Sequence, residues 1–355
     1  MKKIELLSPA GDKESFIAAI NAGADAIYVG GKSFSARASA ENFTDEELVE
    51  AIKLAHILNV KVYVGINIMI YENEINEVLN YIDFLYVNDV DALIVADLGL
   101  ISILAKRYPN LDIHASTQLN TMSLWQIKIL ESYNVKRVVL ARECSLSTIA
   151  YIKKNSNLEI EVFAHGALCV CYSGNCLHSS MIGKRSGNRG CCAQPCRMEY
   201  SLLEDGRTIA AKQYLLSTKD LNLLENIDKV IELGVTSLKI EGRMKSEEYV
   251  SIVTKNYRDA IDAYYKGTKI DIEEYNKELM KVFSRTFTKG FMFNENNSEM
   301  TNTFRPNHIG EEIGQIVEQS GNSIKIKLTE SVAQKDKIAI ISNHYDDVGF
   351  YLSKI

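Results

Sequence analysis

Asn21-Ala22-Gly23-Ala24-Asp25-Ala26-Ile27-Tyr28-Val29 closes a helix on glycine and enters a short β-branched strand without a pause. Glycine just past a helix end reads as a C-terminal cap, and a strand directly behind it makes a compact helix-to-strand return. Gly234-Val235-Thr236-Ser237 repeats the device far down the chain. Between and around them, β-branched runs alternate with amphipathic stretches, the pattern of βα units. The strands read as Ile4–Leu7, Ala26–Val29, Lys61–Ile66, Ala92–Ala96, Asp112–Ala115, Arg137–Ala141, Glu159–Ala164 and Ser237–Glu241. Helical patterns over Asp45–Leu58, Glu74–Val87, Ser123–Tyr133 and Leu223–Leu233 lie between them. Eight such units predict an α/β chain folded as a (β/α)8 TIM-like barrel. A doubly wound sheet is the rival, but no G-x-G-x-x-G follows the first strand. A plain α/β layer with fewer true strands is the blander alternative.

The barrel is expected over residues 1–268, with a cysteine-rich insertion after strand seven at 166–215. A helical linker is expected at 269–304, and a small antiparallel β domain at 305–355 whose end is either natural or truncated. That last stretch alternates over Glu312–Glu318, Ser323–Leu328 and Lys337–Ser342, with breaks at Ser320-Gly321-Asn322 and Gln334-Lys335-Asp336, and suggests a barrel or a sandwich. At 355 residues and 46% apolar content, the chain has enough material for a sizeable core. No apolar run approaches the roughly 20 residues that span a bilayer. Met1-Lys2-Lys3-Ile4-Glu5 lacks the apolar core of a secretion signal, so a cytoplasmic protein with no membrane partner is expected. A net charge of −6 argues against a chain-wide nucleic-acid footprint and leaves room for a local one.

In such a barrel, chemistry belongs where strands end. Polar residues stand there: Ser8, Asn67, Asp97, Ser116-Thr117-Gln118, Arg142-Glu143, His165 and Glu241-Gly242-Arg243. Any one of them is explained by a solvated loop; as a set on one face they are more informative. The connection after strand seven is stronger. Of seven cysteines, six fall in the 28 residues from Cys169 to Cys196. In a cytosolic chain such crowding points to metal or redox chemistry rather than a disulfide framework. Roughly 70 residues separate strands seven and eight, and connections that long are usually functional.

Four thiolates satisfy either a 4Fe-4S cluster or a tetrahedral zinc. Cys169, Cys176, Cys192 and Cys196 are the expected ligands. Their spacing matches neither the bacterial ferredoxin run nor paired C-x2-C zinc knuckles. Zinc remains the alternative metal and reactive thiols a third option, with the barrel rim favouring a working cluster. Cys171 and Cys191 read as spectators and Cys144 as a buried apolar residue. Lys184, Arg185, Arg189 and Arg197 interleave with the cysteines, which suits an anionic substrate or an RNA backbone. His165 and His114 each end a strand, where a histidine is more often a structural residue than a reactive one.

At these residues the chain resembles the collagenase-like peptidase family. The likeness is carried by His165-Gly-Ala-Leu-Cys169, Tyr172-Ser-Gly-Asn-Cys176, Gly187-Asn-Arg-Gly and Ala193-Gln-Pro-Cys196-Arg197. Glu5-Leu-Leu-Ser-Pro-Ala-Gly11, His114-Ala-Ser-Thr-Gln118, Leu140-Ala-Arg-Glu143 and Lys239-Ile-Glu-Gly-Arg243 extend it over at least residues 4–265. Arg305-Pro-Asn-His-Ile-Gly310 resembles members with a small C-terminal barrel. The resemblance implies an oxygen-independent hydroxylase with a 4Fe-4S cluster, acting on carbon 5 of a pyrimidine in transfer or ribosomal RNA, with prephenate as hydroxyl source. The ribosomal branch is the nearer likeness. Cys191 beside Cys192 leaves open which of the two binds iron.

On that reading His165, Glu241 and Arg243 are the expected catalytic residues, with His165 and Glu241 handling protons. His114, Gln118, Arg142, Arg189 and Arg197 are expected to bind substrate. Peptidase chemistry, as the family name states, would need a nucleophile–base pair such as Cys169 with His165. No H-E-x-x-H for a metalloprotease occurs. Ubiquinone-ring hydroxylation and a non-catalytic RNA-binding role are further alternatives.

Overall fold

A computed structural model describes residues 3–37, 40–296, 298–321, 323–341 and 348–354, in two compact units, Met1–Ile309 and Gly310–Ile355. In chain order the first unit runs β1 (Glu5–Pro9), α1 (Lys13–Asn21), β2 (Ala26–Val29), α2 (Asp45–Ile57), β3 (Lys61–Ile66), α3 (Ile75–Val87), β4 (Ala92–Val95) and α4 (Leu98–Arg107). It continues with β5 (Asp112–Ala115), α5 (Leu124–Ser132), β6 (Arg137–Val139), α6 (Leu146–Asn155) and β7 (Glu159–Ala167). The insertion holds α7 (His178–Gly183), a hairpin of β8 (Tyr200–Glu204) and β9 (Arg207–Gln213), and β10 (Asp220–Asn222). Then come α8 (Ile227–Glu232), β11 (Ser237–Ile240), α9 (Glu247–Lys266), α10 (Ile272–Val282) and β12 (Phe287–Thr288).

Strands β1 to β7 pair in sequence and in parallel, and β11 pairs in parallel with both β1 and β7, which closes the barrel. The (β/α)8 architecture read from the sequence is the one observed. Local chemistry explains the register. Helices start on side-chain caps: Asp12 accepts from the Ser15 amide, Asp97 from the Leu100 amide, and Thr44–Glu47 and Ser123–Gln126 form reciprocal boxes. Several helices end on a residue of positive φ before the next strand: Gly23, Asn59, Asp89, Asn134 and Gly234. Asn and Asp tolerate this backbone almost as glycine does, so the helix-to-strand return is written in three residue types.

Alternation sends one side of each strand toward the helices and the other into the lumen. Leu7, Ala26, Tyr28, Tyr63, Ala92 and Ile94 form a small apolar cluster separate from the main core. Beside it lies a buried ionic knot. Arg137, 3% exposed, pairs with Glu5, with Glu159 at 2.7 Å and with Glu161 at 3.2 Å, and Lys239 reaches Glu161 at 3.1 Å. Burial would discharge Arg137, but Glu161 and Glu5 overcome it and raise its pKa; burial likewise pushes Glu5 up, and Arg137 pulls it down.

β10 runs antiparallel to the end of β7, and β12 adds to it in parallel, so residues to 309 pack with the barrel. The second unit holds two separate antiparallel hairpins, β13 (Gly314–Ser320) with β14 (Ser323–Leu328), and β15 (Lys337–Ile340) with β16 (Val348–Tyr351). Asn322 and Ser342, expected in a turn and a strand, lie outside the described residues. Among the described residues no helix is long and apolar enough to cross a membrane.

Candidate active site

Glu241 follows β11 at the barrel mouth. Its carboxylate accepts from Arg37 at 2.8 Å and from the Tyr28 hydroxyl at 3.2 Å. Burial pushes its carboxyl up, but Arg37, Arg142 and Arg243 outweigh that and hold it at about 2. Arg243 is itself buried and donates to Ser35 Oγ at 2.7 Å; burial, then the charge of Arg37, lowers its pKa to about 10. Gly30 makes room for it, since a Cβ there would stand 2.0 Å from Arg243 Nη1. Arg142 lies 3.9 Å over the Phe163 ring, and its guanidinium donates to no described acceptor. One carboxylate thus faces three guanidinium groups, which leaves a net positive site suited to an anion.

The pKa of Glu241 carries a pH prediction. Its folded value is depressed, so its stabilisation is present above the ordinary carboxyl value and lost as pH falls toward about 2. Removing the hydrogen-bonded positive partner in Arg37→Gln is expected to raise that folded value. Acid denaturation would then begin at higher pH than in the parent, read as the midpoint of a circular-dichroism pH titration.

The insertion roofs this mouth and is pinned to several of its loops. Arg189 holds Glu74 at 2.6 and 2.9 Å, donates to the Met69 carbonyl and covers the Tyr71 ring. Ser173 Oγ donates to Glu143 at 2.7 Å and accepts from the Arg142 amide, while Asn175 donates to the Gln118 carbonyl. Gly190, at φ +80°, lies so close to the loop after β2 that a Cβ would meet the Ser35 carbonyl oxygen at 2.6 Å. Arg197 donates to Ser217 Oγ, Thr218 Oγ1 and the carbonyls of Thr218 and Leu168. Arg189 and Arg197 therefore spend their donors inside the protein as clamps on the roof. Gln118 contributes its backbone to the same clamping.

Within the roof, Gly187 lies between two cysteines: a Cβ there would be 3.6 Å from the Cys176 carbonyl oxygen and 3.9 Å from Cys192 Sγ. Cys192 Sγ accepts from the Gln194 amide at 3.3 Å, and the Cys176 amide donates to Asn188 Oδ1 at 3.2 Å. Burial raises the Cys196 thiol, Arg197 opposes, and the thiols of Cys169, Cys192 and Cys176 raise it further. Cys171 is pushed up to about 11 by burial and by Cys176, Cys169 and Cys196. Cys191 turns elsewhere, its Sγ donating to the Arg189 carbonyl at 3.7 Å.

No group of three His, Cys, Asp or Glu side chains that could hold a single metal ion occurs among the described residues. A polynuclear cluster asks for something else, thiolates spread around several irons. Cys169, Cys171, Cys176, Cys192 and Cys196 are free thiols close to one another, and four of these five would suit that donor set.

Neither histidine faces the mouth. His114 is buried in the lumen with its ring 4.6 Å from Tyr63, and burial followed by Arg137 and Lys239 keeps it neutral. At β7 the register slips: Lys239 pairs with Phe163 but Ile240 with His165, so Ala164 bulges. A bulge changes the face on which the following side chain emerges. His165 accordingly sits among Tyr257, Phe287 and Tyr249, 1% exposed, its pKa lowered to about 3 by burial and Lys245. Sequence reading overlooked Arg37. The long stretch between Val29 and Asp45 was the available signal, since extended βα loops carry function.

Barrel, mouth and cysteine roof define the class of protein. The chain matches Peptidase family U32, the collagenase-like peptidases, over residues 11–302 and belongs to that family. It is 43% identical over 308 residues to an uncharacterized protease of Methanocaldococcus jannaschii, covering 84% of this chain and 75% of that one. A tRNA hydroxylation protein of Bacillus subtilis is 39% identical over 300 residues, covering 82% and 71%. The 23S rRNA 5-hydroxycytidine synthase of Escherichia coli is 35% identical over 356 residues; that match takes in 98% of this chain but 54% of the relative.

Proposed function

We propose that this protein is an RNA-modifying enzyme that hydroxylates carbon 5 of a pyrimidine in ribosomal or transfer RNA without dioxygen. Cys169, Cys176, Cys192 and Cys196 would hold a 4Fe-4S cluster, and prephenate would be the hydroxyl source. The carrying observation is that five neighbouring thiols, the four assigned to the cluster and Cys171, sit in a roof clamped over a mouth with three arginines around one carboxylate. The names of the bacterial relatives support RNA as substrate and hydroxylation as the reaction. When bound, the cluster supplies one-electron chemistry.

The chain's own residues do the positioning. Arg142, whose guanidinium donates to no described residue, binds a carboxylate of the organic acid, and Arg243, held by Ser35, adds fixed positive charge beside it. Glu241 stays ionised and keeps Arg37 turned toward the mouth. The pyrimidine reaches the mouth extruded, because its carbon 5 is enclosed in structured RNA. For peptidase chemistry, a Cys169–His165 pair lacks support: His165 Nδ1 faces the Tyr257 hydroxyl and Nε2 meets no described partner.

Nucleoside mass spectrometry of RNA from a deletion strain tests the function. Loss of one 5-hydroxypyrimidine, restored by the gene, is expected; a full set of hydroxypyrimidines in the deletion strain would refute it. Arg142→Ala tests the site. A charge-assisted hydrogen bond is worth about 1.5–3 kcal/mol, so kcat/KM should fall roughly tenfold to a hundredfold. Folding stability should fall by only about 0.5–1 kcal/mol, because the guanidinium gives up its stacking on Phe163 but no side-chain hydrogen bond to a described residue.

A further inference from the structure

The roof has an outer face that the proposed reaction does not use. Leu177, Met181, Ile182 and Met198 are 63%, 82%, 65% and 60% exposed. The helix α7 carrying two of them is fastened to the cysteine stretch: the Ala193 amide donates to Ser179 Oγ at 2.9 Å, and Arg185 Nε donates to the Cys191 carbonyl at 3.1 Å. Cys191 and Cys192 are themselves exposed. Apolar side chains, two cysteines and solvent-facing Lys184 and Arg185 therefore lie on one fastened segment of the roof. Large apolar side chains exposed together on so short a segment mark an interaction site.

Charge narrows the partner. From Val162 to Met198 the sequence contains Lys184, Arg185, Arg189 and Arg197 and no Asp or Glu, within a chain of net charge −6. Arg189 and Arg197 are committed inward, so Lys184 and Arg185 supply the field at the surface. RNA is recognised through stacking on aromatic rings as well as through cations. The exposed apolar side chains of α7 are aliphatic or thioether, the adaptable kind that packs against protein. The patch favours an acidic protein with a small apolar centre.

We propose that this face docks a small acidic electron-carrier protein, which passes one electron to the thiol-bound centre through the exposed Cys191–Cys192 edge. The inference rests on the reading of the thiols as a redox centre. The carrier is oxidised by one electron and the centre reduced by one, and no bond is made or broken at the interface. Electron-transfer encounters are small, below about 1,200 Å², and weak. Attraction here should therefore fade with added salt.

Met181→Asp and Lys184→Glu test the surface, since neither side chain holds the fold. Arg185 is left in place because it ties Cys191. The probes are an acidic ferredoxin and a flavodoxin, with binding to each measured at low and high salt. Stopped-flow reduction by each carrier is compared with reduction by dithionite, and RNA binding is measured alongside. The parent chain should bind at least one carrier, and the double variant should lose roughly tenfold or more in binding and in carrier-driven reduction. Dithionite reduction and RNA binding should stay unchanged. If the parent bound neither carrier, or the variant bound as the parent does, the inference would fall. Loss of RNA binding instead would make this face an RNA contact and overturn it. Should the protein hold no iron, carrier binding abolished by the variant would uphold the docking surface while the cluster reading fell. An iron-free protein that bound no carrier would end both.

Discussion

Serine at Cys169, Cys176, Cys192 or Cys196 is expected to leave anaerobically prepared protein colourless, short of iron and without detectable hydroxylase activity. Hydroxyl replaces a thiolate poorly as an iron ligand, and a cluster held by four thiolates has no spare attachment. The adjacent pair gives the sharpest contrast. Cys191→Ser should keep colour and iron, because Cys191 Sγ donates to the Arg189 carbonyl while Cys192 raises the Cys196 thiol. Cys171 is the discriminating control, for its thiol faces Cys176 and Cys169 although it is not assigned to the cluster. Iron retained in Cys171→Ser and lost in Cys192→Ser would uphold the assignment. The reverse pattern would move a ligand from Cys192 to Cys171, and stoichiometric zinc in place of iron would replace the cluster altogether.

Arg137→Met is expected to cost about 3–5 kcal/mol, the scale for removing one partner from a buried ion pair. The loss comes from what remains. Glu161 is fully buried and would keep only Lys239, and Glu5 would keep the Tyr63 hydroxyl. A lower urea midpoint measures it, with the parent chain as reference. Adding Glu161→Gln should recover part of the loss, because the stranded charge goes with it. A single variant within about 0.5 kcal/mol of the parent would show that water or rearrangement meets the lumen charges instead.

Much of the barrel was legible because it is written locally. Ala26–Val29, Lys61–Ile66 and Asp112–Ala115 are observed with the bounds read from their residues. Asp112–Ala115 is bounded by signals that need no tertiary partner. The site was less legible. Glu241 and Arg243 were recognised as mouth residues by their place after a strand, and Arg142 likewise, but Arg37, the ion-pair partner of Glu241, comes from a loop some two hundred residues before it in sequence. No local pattern announces such a meeting. Arg189 and Arg197 looked like ligand-binding cations because charge is visible in a sequence and hydrogen-bond acceptors are not; folded, those acceptors are Glu74, Met69, Leu168, Ser217 and Thr218.

The sequence by itself determined the strand–helix alternation, the caps that start the helices and the crowding of thiols after the seventh strand. These follow from backbone preference and spacing along the chain. Only the tertiary structure decided which groups face the mouth. One bulged residue in β7 turned His165 among aromatic rings, and barrel closure enclosed His114 in the lumen. The roof's clamps spent two arginines and left Arg142 open. Facing depends on register, and partnership on contacts distant in sequence, so both are settled only when the whole barrel closes.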